Sequence, residues 1–462
     1  MTPVGVPEEL VFNLPMSMLD SRKIEQRIQP YSQARYTSPG QVAKFTIPQT
    51  DRTLASGQTM YLTGKLKLDK LTKDKRYAVL GSHYSLFSRQ VVNANGTVLE
   101  TIERPGELVN QLINMTMNAA EKIGQGNSLG TGSYADEDST SNISLLLGNK
   151  GTLPIDAAGT YQTVSFAIPL IGVLDTNKYI PMWNSNIELE LTINDITNWL
   201  VPIDEEKLSG TTFLITDLEL VFDSIELSPE SFNMIMANNP QKIVIKSQSY
   251  LYGSSGLSQN AGAQDIPINA RLASMKQLYF YFTSSSLVDK TFGGVNCNLY
   301  DVVFITNGKY HPQRPIKCTN PSECYMQIQK AFGSIKSYSH SGCIGKTEFC
   351  RRDARDADIM YNTPILPTAT VPANGTTPAV PGDNKKLISK EGGGNKFYLA
   401  IDTEIINTNK NSLYNGISTG VNSNIRVNIA EPTTLSYTCN YWCCYDILLE
   451  MDFMTGITRS IY

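Results

Sequence analysis

In Ile187–Asn194 the chain reads IELELTIN, so that Ile187, Leu189, Leu191 and Ile193 alternate with Glu188, Glu190, Thr192 and Asn194. A period of two puts the aliphatic set on one side of an extended chain and the polar set on the other. Such a strand has one dry face and needs a second layer to cover it. Val42–Ile47, Tyr61–Leu68, Thr212–Leu227, Met275–Thr283, Phe397–Glu404, Asn424–Ile429 and Tyr445–Phe453 show similar patterns. In the last of these the expected dry set is Ile447, Leu449, Met451 and Phe453, and the expected wet set is Asp446, Glu450 and Asp452. Many such strands with turn residues between them indicate an all-β chain built from sandwiches or barrels.

Two helices interrupt the strands. Pro105–Lys122 carries Leu108, Leu112, Met115 and Ala119 on one stripe. Pro321–Phe332 has Asn320 as N-cap, Pro321 in the first turn, Glu323 where a capping box wants it and Gly333 at the end. The step along the chain from Pro105 to Pro321 equals the step from Leu62 to Leu278, which lie in the long strand before each helix. Phe222 and Ile447, in the closing strands, are separated by nearly the same step. A long polar loop follows each helix, Gly124–Ser141 and then Asn362–Asn395. The same order of strands, helix, loop and strands therefore occurs twice, a repeat of architecture rather than of residues. A chain of 462 residues accommodates two domains of ordinary size. The expected division is an N-terminal arm at 1–40, a first sandwich at 41–235 and a second at 236–462, meeting near Ser228–Gln241. That connection is too short for a flexible tether, so the halves should pack rigidly side by side.

Composition narrows the function. Charged residues make up 18% and the formal net charge is −4, which argues against a chain whose task is to coat phosphate. No stretch approaches 18 apolar residues, and the opening MTPVGVPEELVFNLP lacks the basic and apolar regions of a signal peptide. The four sequons at Asn95, Asn114, Asn142 and Asn374 are then expected to stay unmodified. The eight cysteines, Cys297, Cys318, Cys324, Cys343, Cys350, Cys439, Cys443 and Cys444, all lie in the second half and read as reduced thiols. Cys318, Cys324, His340, Cys343 and Cys350 include the elements of a zinc set but no tight CxxC pair, and Cys324 falls inside the second helix. Buried or interfacial thiols are the simpler reading. Cys443 and Cys444 are adjacent in a strand and point to opposite faces. His83, His311 and His340 are the only histidines, and no GxSxG accompanies them. The glycine-rich GQGNSLGTGS and EGGGNK neither contain a phosphate-binding pattern nor lead into a helix. In KTEFCRRDARDAD, Arg351, Arg352 and Arg355 are balanced by Asp353, Asp356 and Asp358, which suits a salt-linked loop or a subunit contact. Pro364–Asn384 is rich in Pro, Thr and Ala and reads as an outward loop. No catalytic residue, cofactor site or metal site is expected.

Several stretches resemble the major capsid proteins of the double jelly-roll lineage, which includes tailless icosahedral phages, adenoviruses, virophages, Polinton-like viruses and large nucleocytoplasmic DNA viruses. RIQPYSQARYTSPGQVAKFTIPQT and GQTMYLTGKLKL resemble their opening strands, and FAIPLIGVLDTNKYIPMWNSNIELELTI the stretch that closes their first sandwich. TTFLITDLELVFDSIELSPE resembles the strand that hands over to the second, where LYNGISTGVNSNIRVNIAE and YDILLEMD have the same character. The resemblance implies two tandem eight-stranded jelly-roll sandwiches with short helices in the connecting loops. It further implies a structural, non-enzymatic protein made in the host cytoplasm and located in the virion capsid. Self-assembly would proceed through a homotrimeric, pseudo-hexagonal capsomer that tiles an icosahedral shell. Its partners would be neighbouring capsomers, penton and minor capsid proteins, with the arm reaching an internal membrane or the genome and no sequence-specific nucleic acid bound. Two rival readings are a single-jelly-roll capsid protein of a small single-stranded DNA or RNA virus with a projection domain, and a non-viral β-sandwich adhesin or carbohydrate-binding protein. The lack of a basic arm counts against the first, and the lack of a secretion signal against the second.

Overall fold

The computed structural model describes residues 21–69, 77–79, 82–116, 163–202, 212–239, 241–259, 262–284, 297, 299–319, 321–332, 397–405, 414–419, 422–429, 436–453 and 457–461. In the first half the strands are β1 (Arg22–Ile28), β2 (Arg35–Tyr36), β3 (Val42–Ile47), β4 (Thr53–Ser56), β5 (Tyr61–Asp69), β6 (Tyr77–Val79), β7 (Phe87–Ala94), β8 (Thr97–Glu103), β9 (Val164–Pro169), β10 (Tyr179–Pro181), β11 (Ile187–Ile193), β12 (Leu200–Pro202) and β13 (Thr212–Glu226). Helix α1 (Pro105–Thr116) follows β8, α2 (Ile196–Trp199) follows β11, and α3 (Pro229–Asn238) bridges the halves. The second half holds β14 (Lys242–Leu257), β15 (Ala263–Pro267), β16 (Met275–Ser284), β17 (Leu299–Thr306), β18 (Lys309–Lys317), α4 (Pro321–Ala331), β19 (Leu399–Asp402), β20 (Asn424–Ile429), β21 (Tyr437–Asp452) and β22 (Ile457–Ile461).

The pairing is the same in both halves. One first-half sheet runs β1-β13-β5-β9, with β2, β4 and β10 added at its margins, and the other runs β3-β11-β7-β8. The second half repeats this as β14-β21-β16-β19, with β22 added, and β15-β20-β17-β18. Counting the eight common strands in chain order, each half pairs 1-8-3-6 in one sheet and 2-7-4-5 in the other. That is the double Greek key of a jelly roll. The spacings in the sequence have their explanation here: Leu62 and Leu278 both lie in the third strand, and Phe222 and Ile447 both lie in the eighth. Pro105 and Pro321 each open the helix that follows the fifth.

Local chemistry sets the corners. The hairpin between the fourth and fifth strands turns on Asn95-Gly96 in one sandwich and on Asn307-Gly308 in the other, with all four residues at positive φ. Asn-Gly is the pair that tolerates two left-handed residues in a two-residue turn. Helix α3 starts at a Ser228 cap, whose Oγ accepts the Ser231 amide at 3.2 Å, followed by Pro229 in its first turn. The aliphatic sides of β3, β5, β11 and β13 face one another across the first sandwich, and Ile187, Leu189, Leu191 and Ile193 are all buried.

Three expectations need correction. Residues 1–40 are not all arm: β1 pairs with β13 from Arg22↔Glu226 to Ile28↔Leu220, and Tyr36 is fully buried in the core. RKIEQRI hides its strand character because β1 sits at a sheet margin, where its outward side chains stay wet and pair with Asp223, Glu25 and Glu219. Secondly, the expected wet face of the last long strand is dry. Asp446 and Glu450 keep only 1% and 6% of their accessible surface. Thirdly, that strand starts at Tyr437 rather than Tyr445, and Tyr437–Cys444 lack alternation because both faces are covered. Asn320, Gly333, Ala119, the two long polar loops and Pro364–Asn384 lie outside what the structure describes, as does the side chain of Met115.

Candidate functional site

The residues with reactive chemistry are placed as packing groups. Cys297, Cys318 and Cys324 gather where β18 meets α4, with Cys318 directly beside Cys324. Cys318 Sγ donates to the Ile316 carbonyl at 3.7 Å and Cys324 Sγ to the Lys317 carbonyl at 3.6 Å. Cys439, Cys443 and Cys444 lie in β21 and are fully buried. Burial pushes the Cys443 and Cys444 thiols up to about 12, which leaves them un-ionised and poor nucleophiles. Among the described residues no group of three or more His, Cys, Asp or Glu could hold a metal ion. His83 is buried and stacks on Phe166 at 5.0 Å. His311 lies in β18, where burial first and Lys309 second lower its proton affinity. His340, Cys343, Cys350 and the Arg351–Asp358 cluster lie outside the described residues. Among those residues, no helix is long and apolar enough to cross a membrane.

The most specific polar chemistry sits at the junction of the sandwiches. The corner formed by β8 and the start of α1 rests on the outer face of β14, β21 and β16. Arg104 lies 5.0 Å over the Tyr252 ring, and Trp442 Nε1 donates to the Glu103 carbonyl at 3.4 Å. Tyr281 stacks on Trp442 at 5.8 Å and gives its hydroxyl proton to Glu107 at 2.5 Å. Burial raises the Glu107 proton affinity, against the pull of Arg104 and the Tyr281 hydroxyl. A second zone joins the turn at residues 170–176 to the start of β14. Ser247 Oγ reaches the carbonyls of Gly172 and Asp175 at 3.2 and 3.1 Å, and Thr176 Oγ1 donates to the Lys246 carbonyl at 3.3 Å. In a third zone Asn184 and Ser185 bond to Thr458 of β22 at 2.8 and 2.9 Å, and Trp183 packs edge-on against Phe232 of α3. Three contact zones and one continuous apolar core join the two sandwiches.

The junction leaves an asymmetry. The outer face of β21 is buried, at Trp442 against the first sandwich and at Asp446 and Glu450 under Ser274, Lys246, Lys242 and Arg459 of the second, whereas β13, its counterpart, alternates between buried and partly exposed residues. Likewise the β8 edge is covered by β14 and β22. The equivalent β18 edge is largely exposed, with Tyr310 and the neighbouring Tyr300 about half accessible. None of this was readable as a motif: the sequence marks strands, and the covered faces are set by partners distant along the chain.

No family model matches the sequence, and no curated protein matches it. Solved structures do. The Faustovirus major capsid protein superposes with a TM-score of 0.56 at 9% identity, over 95% of this chain and 92% of that one. The mavirus major capsid protein gives 0.55 at 11% identity, over 99% and 93%. PBCV-1 VP54, in a crystal structure fitted into a reconstruction of the virophage Sputnik, gives 0.54 at 10% identity, over 98% and 99%. The chain has the double jelly-roll fold. Both sandwiches and their order along the chain take part in these superpositions, which cover nearly the full length of each protein. At identities this low the double jelly roll is shared as a backbone architecture.

Proposed function

We propose that this double jelly-roll chain is a major capsid protein, a structural rather than catalytic component of an icosahedral virion. The observation that carries the reading is the tandem of two sandwiches with one pairing scheme, an arrangement it shares along nearly its whole length with solved major capsid proteins. Its proposed unit is a homotrimer. Within one chain, the fifth-strand corner of the first sandwich seats on the outer 1-8-3-6 face of the second. The corresponding corner of the second, β18 with α4, and the corresponding face of the first, β1 with β13, have no such cover among the described residues. Repeating the intrachain contact between copies uses both. A head-to-tail contact of this kind either closes into a ring or grows without limit. Three chains present six near-equivalent sandwiches and close a pseudo-hexagonal outline. Neighbouring capsomers, penton and minor capsid proteins would then meet the rim of that unit, and an internal membrane or the genome would be the partner of the N-terminal segment. Light scattering on the purified protein tests this. A mass near three times 51.0 kDa is expected, and a monomer at high micromolar concentration overturns the trimer.

A further inference from the structure

Glu100 lies in β8 beneath the turn at 170–176, with β14 of the second sandwich on the far side. It keeps 3% of its accessible surface. Both carboxyl oxygens are 3.0 Å from a single donor, the Val173 amide. The Ser249 hydroxyl of β14 faces the group without a close hydrogen bond, and that hydroxyl is itself buried with no partner within hydrogen-bond distance. Gly172, at φ +91°, lets the turn approach so closely that a Cβ there would collide with the Glu100 carboxyl. The same turn is gripped from the other side by Ser247 and Thr176 across the junction.

The described groups that face Glu100 do not compensate a negative charge. The turn brings Asp175, whose proton affinity burial also raises. β14 brings Tyr250 and the short turn before β7 brings Tyr84, both neutral and buried, the Tyr84 hydroxyl donating to the Pro169 carbonyl. His83 of that turn is stacked on Phe166, and Gln90 of the adjacent β7 is uncharged and donates to the Ile171 carbonyl. The cations of neighbouring strands are engaged elsewhere, Lys246 with Asp446 and Arg459 with Glu450. A buried carboxylate with one amide donor and no cation beside it is under-solvated, whereas a neutral carboxyl still accepts from Val173 and leaves no charge to solvate.

We propose that Glu100 is a proton-operated latch between the two sandwiches: protonated, it completes the contact between the 170–176 turn and β14, and ionised, it loosens that contact. Burial pushes its carboxyl up to about 7 from the ordinary 4.5, with Ser249 and the Val173 amide pulling the other way. A carboxyl raised on docking binds its proton more tightly in the docked form. The docked form is therefore favoured in acid, and the advantage is lost as pH rises from about 4.5 through about 7. The swing in the docking equilibrium is at most about 300-fold, because the first sandwich supplies part of the burial through Val173 and Gly172. The latch is a property of the single chain and stands whether or not copies assemble.

The test is hydrogen exchange on the intact protein, read at the 170–178 backbone between pH 5.5 and 8.5 and corrected for intrinsic exchange. The wild-type junction should lose protection by a factor of ten or more as pH rises, on the scale of that swing. Glu100→Gln mimics the neutral carboxyl and should hold near the acid level at every pH. Ser249→Ala removes a group that favours the ionised form and should move the wild-type midpoint to higher pH. This second variant keeps the test decisive if Glu100→Gln folds poorly. Wild-type protection that does not change with pH, an equal slope in Glu100→Gln, or an unmoved midpoint in Ser249→Ala would each overturn the latch.

Discussion

Replacing Tyr281 by Phe removes one hydroxyl from the junction and nothing else. The ring stays stacked on Trp442, so the loss is the 2.5 Å hydrogen bond to Glu107. Net contributions of hydrogen bonds to charged groups run to about 1.5–3 kcal/mol. Glu107 is largely buried and keeps Arg104 at 3.4 Å as a second partner. The expected cost therefore falls inside that range, at about 2 kcal/mol. For a sandwich of this size that is a melting-temperature drop of roughly 4–8 °C, readable by calorimetry. Glu107→Gln leaves an acceptor for Tyr281 and forfeits the attraction of Arg104. The double variant should cost less than the two singles together, with a coupling of about 1 kcal/mol. Acidity adds a second check. Glu107 has a raised proton affinity in the folded chain, so the hydroxyl matters most at high pH, where the carboxylate is ionised, and the deficit should shrink as pH falls through that raised value. Strict additivity of the two singles, or a deficit that grows in acid, would refute the view that this bond ties the sandwiches together.

Gly172→Ala should destabilise the 170–176 turn and weaken the junction, since the added methyl meets the Glu100 carboxyl at a positive φ; limited proteolysis within 170–178 should accelerate. Deleting residues 1–28 removes β1 and its ladder on β13, so the first sandwich should melt earlier and the second should not, a split visible as two calorimetric transitions. Thiol titration of the native protein should leave Cys297, Cys318, Cys324, Cys439, Cys443 and Cys444 unreactive until denaturant is added; labelling of Cys443 under native conditions would show that β21 is open.

The inner faces were legible because they are local. IELELTIN has one register that buries its aliphatic set, and a slip of one residue would reverse it. The outer face of β21 was not legible, because a strand does not encode what will lie on it. Asp446 and Glu450 read as solvent-facing until the fold supplies Ser274, Lys246, Lys242 and Arg459 around them. The same limit hid Glu107 and Tyr281, which pair across the junction, and Glu100, which meets a distant turn of its own sandwich. β1 was missed for a different reason: a marginal strand can be polar on both sides and still pair, because its stability comes from the ladder and not from an apolar face. The Asn95-Gly96 and Asn307-Gly308 turns were readable signals of the repeat, and they mark the same hairpin more sharply than the helices do.

The corner of the second sandwich that has no cover from the other sandwich among the described residues is chemically unlike the corner that is covered. β8 ends in Glu103, with Arg104 and Glu107 just beyond, and its contact with the second sandwich is aromatic and partly buried. β18 instead exposes Lys309, Arg314 and Lys317 beside Tyr310, with no acidic residue on the strand. The face proposed to receive it carries Glu25, Asp223 and Glu219 on β1 and β13, already engaged with Lys23 and Arg27 in exposed pairs that individually contribute little. A contact between copies built from these surfaces would be steered by charge and sensitive to salt, unlike the intrachain junction. Replacing Lys309, Arg314 and Lys317 together by Glu should therefore leave the melting temperature of the isolated chain within about 1 °C, because surface changes cost little. The same replacement should shift the light-scattering mass from three chains towards one. Raising ionic strength should weaken the proposed wild-type trimer in the same direction. Intact trimers in the triple variant would place the contact elsewhere and leave the tandem fold itself untouched.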